Sequence, residues 1–151
     1  MTRERWIRIA LGYLALQNLQ IGLWALFSPK SFYDGFPGLG RGWIAVDGPY
    51  NEHLVRDVGA LELALMAVFV IAVVNMERTS IRTACVAALV WGVPHFIYHL
   101  LNTDGLTVGD QVGLLGGLAL YAIIPVAVLV LSEGRSDDHS TNTAKQVSEA
   151  I

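Results

Sequence analysis

The sequence predicts an all-α integral membrane protein, a four-helix bundle with a long first extracytoplasmic loop, and two observations carry that prediction. Of the 151 residues, 54% are hydrophobic and 15% are charged, whereas a soluble domain carries about 25% charged residues. Each of four apolar segments also has about the 20 residues that a helix needs to cross a bilayer. The predicted transmembrane domain, 1–132, contains helices near 6–27, 52–75, 80–102 and 108–132.

The first segment follows a basic N-terminus, as the apolar core of a secretory signal peptide does. Gln17, Asn18 and Gln20 interrupt this core and no A-x-A cleavage site follows, so a retained transmembrane helix is predicted. Ser28 and Pro29 then predict the start of a short helix. The glycine-rich, aromatic stretch behind it is typical of an interfacial anchor or of a lid over the bundle.

The second segment begins with PYNEHLVRD, residues 49–57, where polar side chains crowd the start of the helix. Asn51 is a good N-cap. Glu52 stands four residues before Arg56, which is the favourable order for a helical ion pair. Capping and pairing explain these side chains; the functional alternative is that Glu52 and Arg56 bind the polar part of a ligand.

Short loops separate the last three segments, so consecutive helices are predicted to be antiparallel neighbours. Thr107 and Asp110 fit a capping box at the start of the fourth helix, and a role for Asp110 in ligand binding is the alternative. The same helix carries a stripe of small residues, Gly109, Gly113, Gly116 and Gly117. Small residues at four-residue spacing let two helices approach closely, which indicates a packing face.

The antiparallel order predicts one polar layer under the long loop. His95 and His99 lie one turn apart on the third helix, and His53 and Asp57 lie one turn apart at the start of the second. These four side chains together would suit a transition metal such as zinc, iron or copper. The alternatives are haem, a metal-free polar network and an organic ligand.

Two polar residues inside the predicted spans extend this layer. Glu62 lies about 15 Å below the start of the second helix, where it would hydrogen-bond to Gln17 or Asn18 or contact a ligand. Gln17 and Gln20 share one stripe of the first helix. Ionisable residues inside a bilayer are costly and usually face a partner, a cavity or a ligand. Glu62 and Gln17 are therefore candidate ligand-binding residues.

The distribution of basic residues predicts a multi-pass protein of the cell membrane with both termini in the cytoplasm. The inner side then carries Arg3, Arg5, Arg8, Arg78, Arg82, Arg135 and Lys145, and the outer side carries Lys30, Arg41 and Arg56. Residues 133–151 are polar and lack an apolar period, which predicts a disordered cytoplasmic tail. The single cysteine, Cys85, excludes an internal disulfide and a thiolate-rich metal site. The expected partner is the lipid bilayer, not a nucleic acid.

Two segments resemble those of a known group of proteins. PYNEHLVRDVGALELAL and VPHFIYHLLN, with four short helices and a long first loop, resemble small bacterial four-helix membrane proteins of the DoxX-like kind over about residues 6–132. The resemblance implies a four-helix membrane fold and an association with membrane redox chemistry near quinones. It implies no particular catalytic residue.

Three functional hypotheses follow from the sequence. The first is a His/carboxylate cluster near the extracytoplasmic face that binds a metal or a lipophilic, quinone-like ligand in a redox-related or accessory role. The second is a small oligomeric proton-coupled transporter in which Glu62, Gln17 and Gln20 form part of a path. The third is a non-catalytic subunit of a membrane complex, such as a membrane redox complex, that uses the glycine face of the fourth helix. The sequence assigns no enzyme activity.

Overall fold

The computed structural model describes residues 2–133, and within that range every element of regular secondary structure is a helix. Its elements are α1 (Arg3–Phe27), α2 (Pro29–Gly35), a 3₁₀ helix (Ala45–Asp47), α3 (Glu52–Asn75), α4 (Arg78–Leu101) and α5 (Val108–Glu133). Four of these helices, α1, α3, α4 and α5, are long and apolar enough to cross a membrane. Of the predicted tail 133–151, Glu133 belongs to α5 and the remainder lies outside the described residues.

The four long helices run up and down beside one another. α1 packs on α3, α3 on α4, α4 on α5, and α5 back on α1. We call the end where α1 and α4 finish and where α3 and α5 begin the loop end of the bundle. Residues 28–51 cross this end and contain α2 and the 3₁₀ helix, so the short helix predicted at Ser28-Pro29 is confirmed.

The closest approach of two helices lies between α1 and α3. A Cβ atom at Gly59 would lie 2.5 Å from the backbone nitrogen of Leu26, and one at Gly22 would lie 3.0 Å from the carbonyl oxygen of Gly59. A side chain at Gly59 would clash with the backbone of α1, so the two helices pack closely on each other there. This contact fixes α1 and α3 as one wall of the bundle.

The glycine stripe of α5 contacts no other helix of the described chain, and its predicted use as a packing face for a partner stays a prediction. A Cβ atom at Gly116 or Gly117 would meet nothing within 4 Å, and one at Gly113 would lie 3.0 Å from the indole ring of Trp43. Within residues 2–133 the stripe therefore brings no other helix close to α5. It makes room for Trp43 and for the cavity described below.

Apolar packing is concentrated at the end of the bundle opposite the loop end. The cluster there includes the fully buried side chains Leu11, Leu14, Phe69, Ile81 and Val128. A second, smaller cluster at the loop end is formed by Ala25, Phe32 and Val55. The space between these clusters is incompletely filled, and it holds the candidate site.

A series of contacts between aromatic rings attaches residues 28–51 to the bundle. Trp24 of α1 contacts Phe32 of α2 edge-on with ring centroids 5.6 Å apart, Phe32 contacts Phe36 at 5.0 Å, and Phe36 contacts Trp43 edge-on at 6.1 Å. The backbone turns toward Trp43 at Gly42, whose φ of +63° favours glycine. The segment thus carries Trp43 over the loop end.

Candidate functional site

A cavity of about 390 Å³ lies between the four long helices at the loop end. Its volume falls within the range of about 300–1,000 Å³ that is usual for small-molecule sites. Most of the lining is apolar. We call residues 28–51, which cross the loop end, the crossing segment; its residues Phe36, Trp43 and Ile44 cover the cavity from that end. The polar residues of the lining lie at two different depths.

The deep polar end of the cavity is formed by Gln17, Glu62 and Trp91. Glu62 is 5% exposed, and its Oε1 accepts a hydrogen bond of 3.1 Å from Trp91 Nε1. The predicted hydrogen bond from Glu62 to Gln17 or Asn18 is wrong. Asn18 instead donates to the Leu14 carbonyl oxygen at 2.7 Å and accepts from the Tyr121 hydroxyl at 3.2 Å.

The outer polar end contains His99 of α4 and Asp47 of the 3₁₀ helix. His99 is 6% exposed. Partial burial raises the pKa of Asp47 above its usual range, and the nearby His99 opposes this shift. His95 lies one turn deeper, with its ring centroid 4.8 Å from that of His99 and 5.0 Å from that of Trp91. The predicted alignment of His95 and His99 on one helix face is therefore confirmed.

Two buried polar atoms next to the cavity have no hydrogen-bond partner within residues 2–133. They are Oε1 of Gln17 and Nδ1 of His99, and we call them the two orphan atoms. An unsatisfied buried polar atom costs about 1–3 kcal/mol, and such atoms are few in native structures. One of these atoms belongs to a residue at each polar end of the cavity, and both atoms are fully buried and out of contact with the open space.

The cavity reaches the outer surface of the bundle between α3 and α4. Leu54 of α3 and Tyr98 of α4 both line it, yet they are 60% and 49% exposed. Deeper in the bundle the hydrogen bond between Trp91 and Glu62 joins the same two helices. The lining therefore includes side chains at the outer surface of the bundle on α3 and α4.

Asp110 fastens the crossing segment to the start of α5. Its carboxylate accepts hydrogen bonds from Trp43 Nε1 at 2.9 Å, from Thr107 Oγ1 at 2.6 Å and from the Arg41 guanidinium. The Asp110 N–H donates to Thr107 Oγ1 at 3.2 Å, so the predicted capping interaction is confirmed. Asp110 does not line the cavity itself; it holds Trp43, which does.

His53 and Asp57 do not join the histidines of α4. They pair with each other across 3.4 Å, and their side chains are 88% and 61% exposed. The buried strip of α3 runs through Val55, Gly59 and Glu62, and His53 lies two residues, about 200°, away from Val55 around the helix. That rotation turns His53 and Asp57 away from the cavity.

The four predicted metal ligands, His53, Asp57, His95 and His99, are thus not brought together. Within residues 2–133, no three His, Cys, Asp or Glu side chains form a group that could hold a metal ion. Helix periodicity alone does not say which side of a helix faces inward. The prediction therefore combined the pair His53 and Asp57 with the pair His95 and His99, although the two pairs lie on different surfaces. The structure leaves the pair His95 and His99 beside the cavity.

Glu52 and Arg56 form the predicted helical ion pair, with Arg56 Nη2 2.8 Å from Glu52 Oε1. Arg56 also donates to the carbonyl oxygen of Leu26 near the end of α1. Asn51 caps α3 by accepting from the Leu54 N–H at 3.1 Å. These contacts stabilise the junction of α1 and α3, and neither charged side chain lines the cavity.

Several cavity residues were not among those that the sequence singled out. They are Asp47 and Trp43 in the long first loop and Tyr121 on α5. The stretch RGWIAVDG was a signal for the first two, since it places a tryptophan and an acid in a loop predicted to cover the bundle. Nothing local indicated that Tyr121 would reach Asn18.

Comparison with protein-family models, with curated proteins and with solved structures finds no match to this chain. The likeness to DoxX-like proteins therefore stays a prediction from the two segments that carry it. The class of protein rests on the geometry: a helical bundle with four candidate membrane spans and an internal cavity.

Proposed function

We propose that this is an integral membrane protein whose bundle takes up one lipophilic, quinone-like ligand in the cavity at the loop end, in a redox-related or accessory role. The observation that carries the proposal is a largely apolar cavity with polar residues at two depths, Gln17, Glu62 and Trp91 at one and His99 and Asp47 at the other. A ligand with polar groups on an apolar body would match this lining. Specificity in such sites comes from a few polar groups among many apolar ones.

The shape of the cavity supports a ligand that arrives from the bilayer. Leu54 and Tyr98 line the cavity and are also exposed on the outside of the bundle, so an apolar chain passing between them would extend into lipid while a ring-sized head occupies the interior. The walls offer aromatic faces, including Trp43, Trp91 and Phe36, which pack well against a planar ring. A water-soluble ligand would not need an exit toward lipid.

Charge distribution supports an orientation with the loop end outside the cytoplasm. The opposite end carries Arg3, Arg5, Arg8, Arg78 and Arg82. The loop end carries fewer basic residues, Lys30, Arg41 and Arg56. Positive charge near helix ends is retained on the cytoplasmic side, so the cavity would face the extracytoplasmic leaflet.

The other hypotheses receive less support from the geometry. Metal binding lacks a third ligand within the described part of the chain. Transport needs a path to the opposite end, where Leu11, Leu14, Phe69 and Ile81 fill the bundle. Assembly with a second copy or with a membrane redox complex stays a prediction.

A pair of adjacent glycines provides a test with a matched control. Gly117 lines the cavity and Gly116 does not, and an added Cβ would meet nothing within 4 Å at either residue. Gly117→Leu would therefore fill the cavity without a backbone clash, and Gly116→Leu would add the same side chain outside it. We expect saturable binding of a benzoquinone with an alkyl chain by the wild type and by Gly116→Leu in lipid nanodiscs.

For Gly117→Leu we expect at least a tenfold loss of affinity, measured by equilibrium binding with quantification of the bound quinone. Equal losses in both variants would point to a general effect on folding and not to this cavity. No saturable binding by the wild type, or full binding by Gly117→Leu, would refute the proposed site.

A further inference from the structure

The charged groups that line the cavity are of one sign. Glu62 lies at the deep end and Asp47 at the outer end, and none of the lining residues within 2–133 is a lysine or an arginine. His95 and His99 also line the cavity, and a histidine is charged only when it is protonated. The cavity therefore combines two carboxyl groups with no permanent positive charge among the described residues.

Glu62 is the more deeply buried of the two acids. It is 5% exposed, and its Oε1 accepts a hydrogen bond of 3.1 Å from Trp91 Nε1. Gln17, which lines the same end of the cavity, contributes a neutral amide. A buried carboxylate without an opposite charge is costly, and ionisable residues within membrane spans commonly mark the path or the site of a ligand. A ligand that brings a positive charge next to Glu62 would remove this cost.

The walls of the cavity are rich in aromatic rings. At the deep end Trp91 contacts Glu62 directly through its hydrogen bond, and the Tyr121 ring lies 2.9 Å from the position of an added Cβ atom at Gly92, the neighbour of Trp91 in the chain. The face of an aromatic ring attracts a cation within about 6 Å of its centroid, and tryptophan does so most strongly. Six lining residues are aromatic: Phe32, Phe36, Trp43, Trp91, Tyr98 and Tyr121.

The surface around the loop end also favours positive charge in a ligand. Acidic residues outnumber lysine and arginine there, since this end carries Asp34, Asp47, Glu52, Asp57, Asp104 and Asp110 against Lys30, Arg41 and Arg56. An excess of one charge around a cleft raises the local concentration of ligands of the opposite charge. The surface and the interior of this end thus agree in sign.

We infer that the cavity also binds a lipophilic organic cation, a substituted ammonium group on an apolar body, with its positive centre between Glu62 and the aromatic walls. This inference goes beyond the proposed function and does not depend on it, because a neutral quinone makes no use of the charge of Glu62. The two classes of ligand would compete for the same space. Binding is reversible, and no bond of the ligand forms or breaks.

The test compares benzyltrimethylammonium with neopentylbenzene, in which a carbon atom replaces the charged nitrogen. Equilibrium binding to the full-length protein in nanodiscs is measured at pH 8, and uptake by empty nanodiscs of the same lipid is subtracted. We expect saturable binding of the cation, at least about tenfold tighter than binding of the neutral molecule. The attraction between two unit charges a few ångströms apart in a protein is large enough for this ratio.

Glu62→Gln removes the charge and keeps an oxygen that accepts the hydrogen bond from Trp91. We expect it to weaken binding of the cation at least about tenfold. Asp57→Asn is the matched control, because it removes a negative charge from the same helix at an exposed residue that does not line the cavity. It should bind the cation as the wild type does.

Three results would overturn the inference: no saturable binding of the cation by the wild type, equal affinities of the wild type for the two molecules, or full binding by Glu62→Gln. Equal losses in Glu62→Gln and Asp57→Asn would assign the attraction to the surface and not to the cavity, which also overturns it. The comparison of the two molecules on the wild type decides even if Glu62→Gln does not fold. Quinone binding is measured separately, so the proposed function stands or falls on its own result.

Discussion

Because α1 packs closely on α3, we predict that a single added methyl group at Gly59 destabilises the bundle. At Gly59 a Cβ atom would lie 2.5 Å from the backbone nitrogen of Leu26 and 2.9 Å from its Cα. Both are backbone atoms, so no side chain can rotate away. The substitution Gly59→Ala therefore forces the two helices apart, even though alanine is the better helix former.

The magnitude follows from two opposing effects. Overpacking of a tight contact costs about 1–3 kcal/mol, and replacing glycine by alanine inside a helix contributes about 1 kcal/mol of stability. We expect Gly59→Ala to lower the free energy of unfolding by up to about 2 kcal/mol, since the gain of about 1 kcal/mol offsets part of the cost of about 1–3 kcal/mol. Gly12→Ala is the matched control, because its Cβ would meet nothing within 4 Å, and it should be neutral or stabilising.

The buried thiol of Cys85 provides the assay. Cys85 is 0% exposed and is the single cysteine of the chain, so a thiol-reactive fluorogenic dye reports unfolding during heating. We expect a lower transition temperature for Gly59→Ala than for the wild type, and an equal or higher one for Gly12→Ala. A Gly59→Ala variant as stable as Gly12→Ala would refute the close approach of α1 and α3.

Two further predictions concern the contacts that shape the site. Asp110→Asn weakens the hydrogen bond to Trp43 and the ion pair with Arg41, so limited trypsin digestion should cleave after Arg41 several-fold faster than in the wild type. Asp104→Asn, in a turn, is the control. Equal cleavage rates in Asp110→Asn and the wild type would contradict the role of Asp110 in holding this segment. Trp91→Phe leaves buried Glu62 without its donor and should lower the free energy of unfolding by about 1–3 kcal/mol. Adding Glu62→Leu to Trp91→Phe should restore part of the lost free energy of unfolding. A further decrease in the double variant would contradict the pairing of Trp91 with Glu62.

The structure agrees with the sequence wherever the interaction is local. The second predicted helix, 52–75, matches α3 (Glu52–Asn75), because its bounds follow from a run of apolar residues and a capping side chain. The pair Glu52 and Arg56 and the capping contact between Thr107 and Asp110 span four residues or fewer. Such contacts form within one helical turn, so spacing alone predicts them.

The sequence also places the candidate residues at correct depths along the bundle. Glu62 and Gln17 lie deep, and His99 lies near the loop end, as the helical rise of about 1.5 Å per residue predicts. All three line one cavity. Depth is predictable because it depends on counting residues from the end of a helix whose length is known.

Which side of each helix faces inward was decided by the tertiary structure. Successive residues are rotated by about 100°, so His53 and Val55 occupy opposite sides of α3, and packing through Gly22 and Gly59 turns His53 outward. By itself, the sequence determined four apolar helices, their ends and the depths of their polar residues. Only the packed bundle selected Trp91 as the partner of Glu62 and left His99 facing a cavity, because helix rotation depends on all the contacts between helices at once.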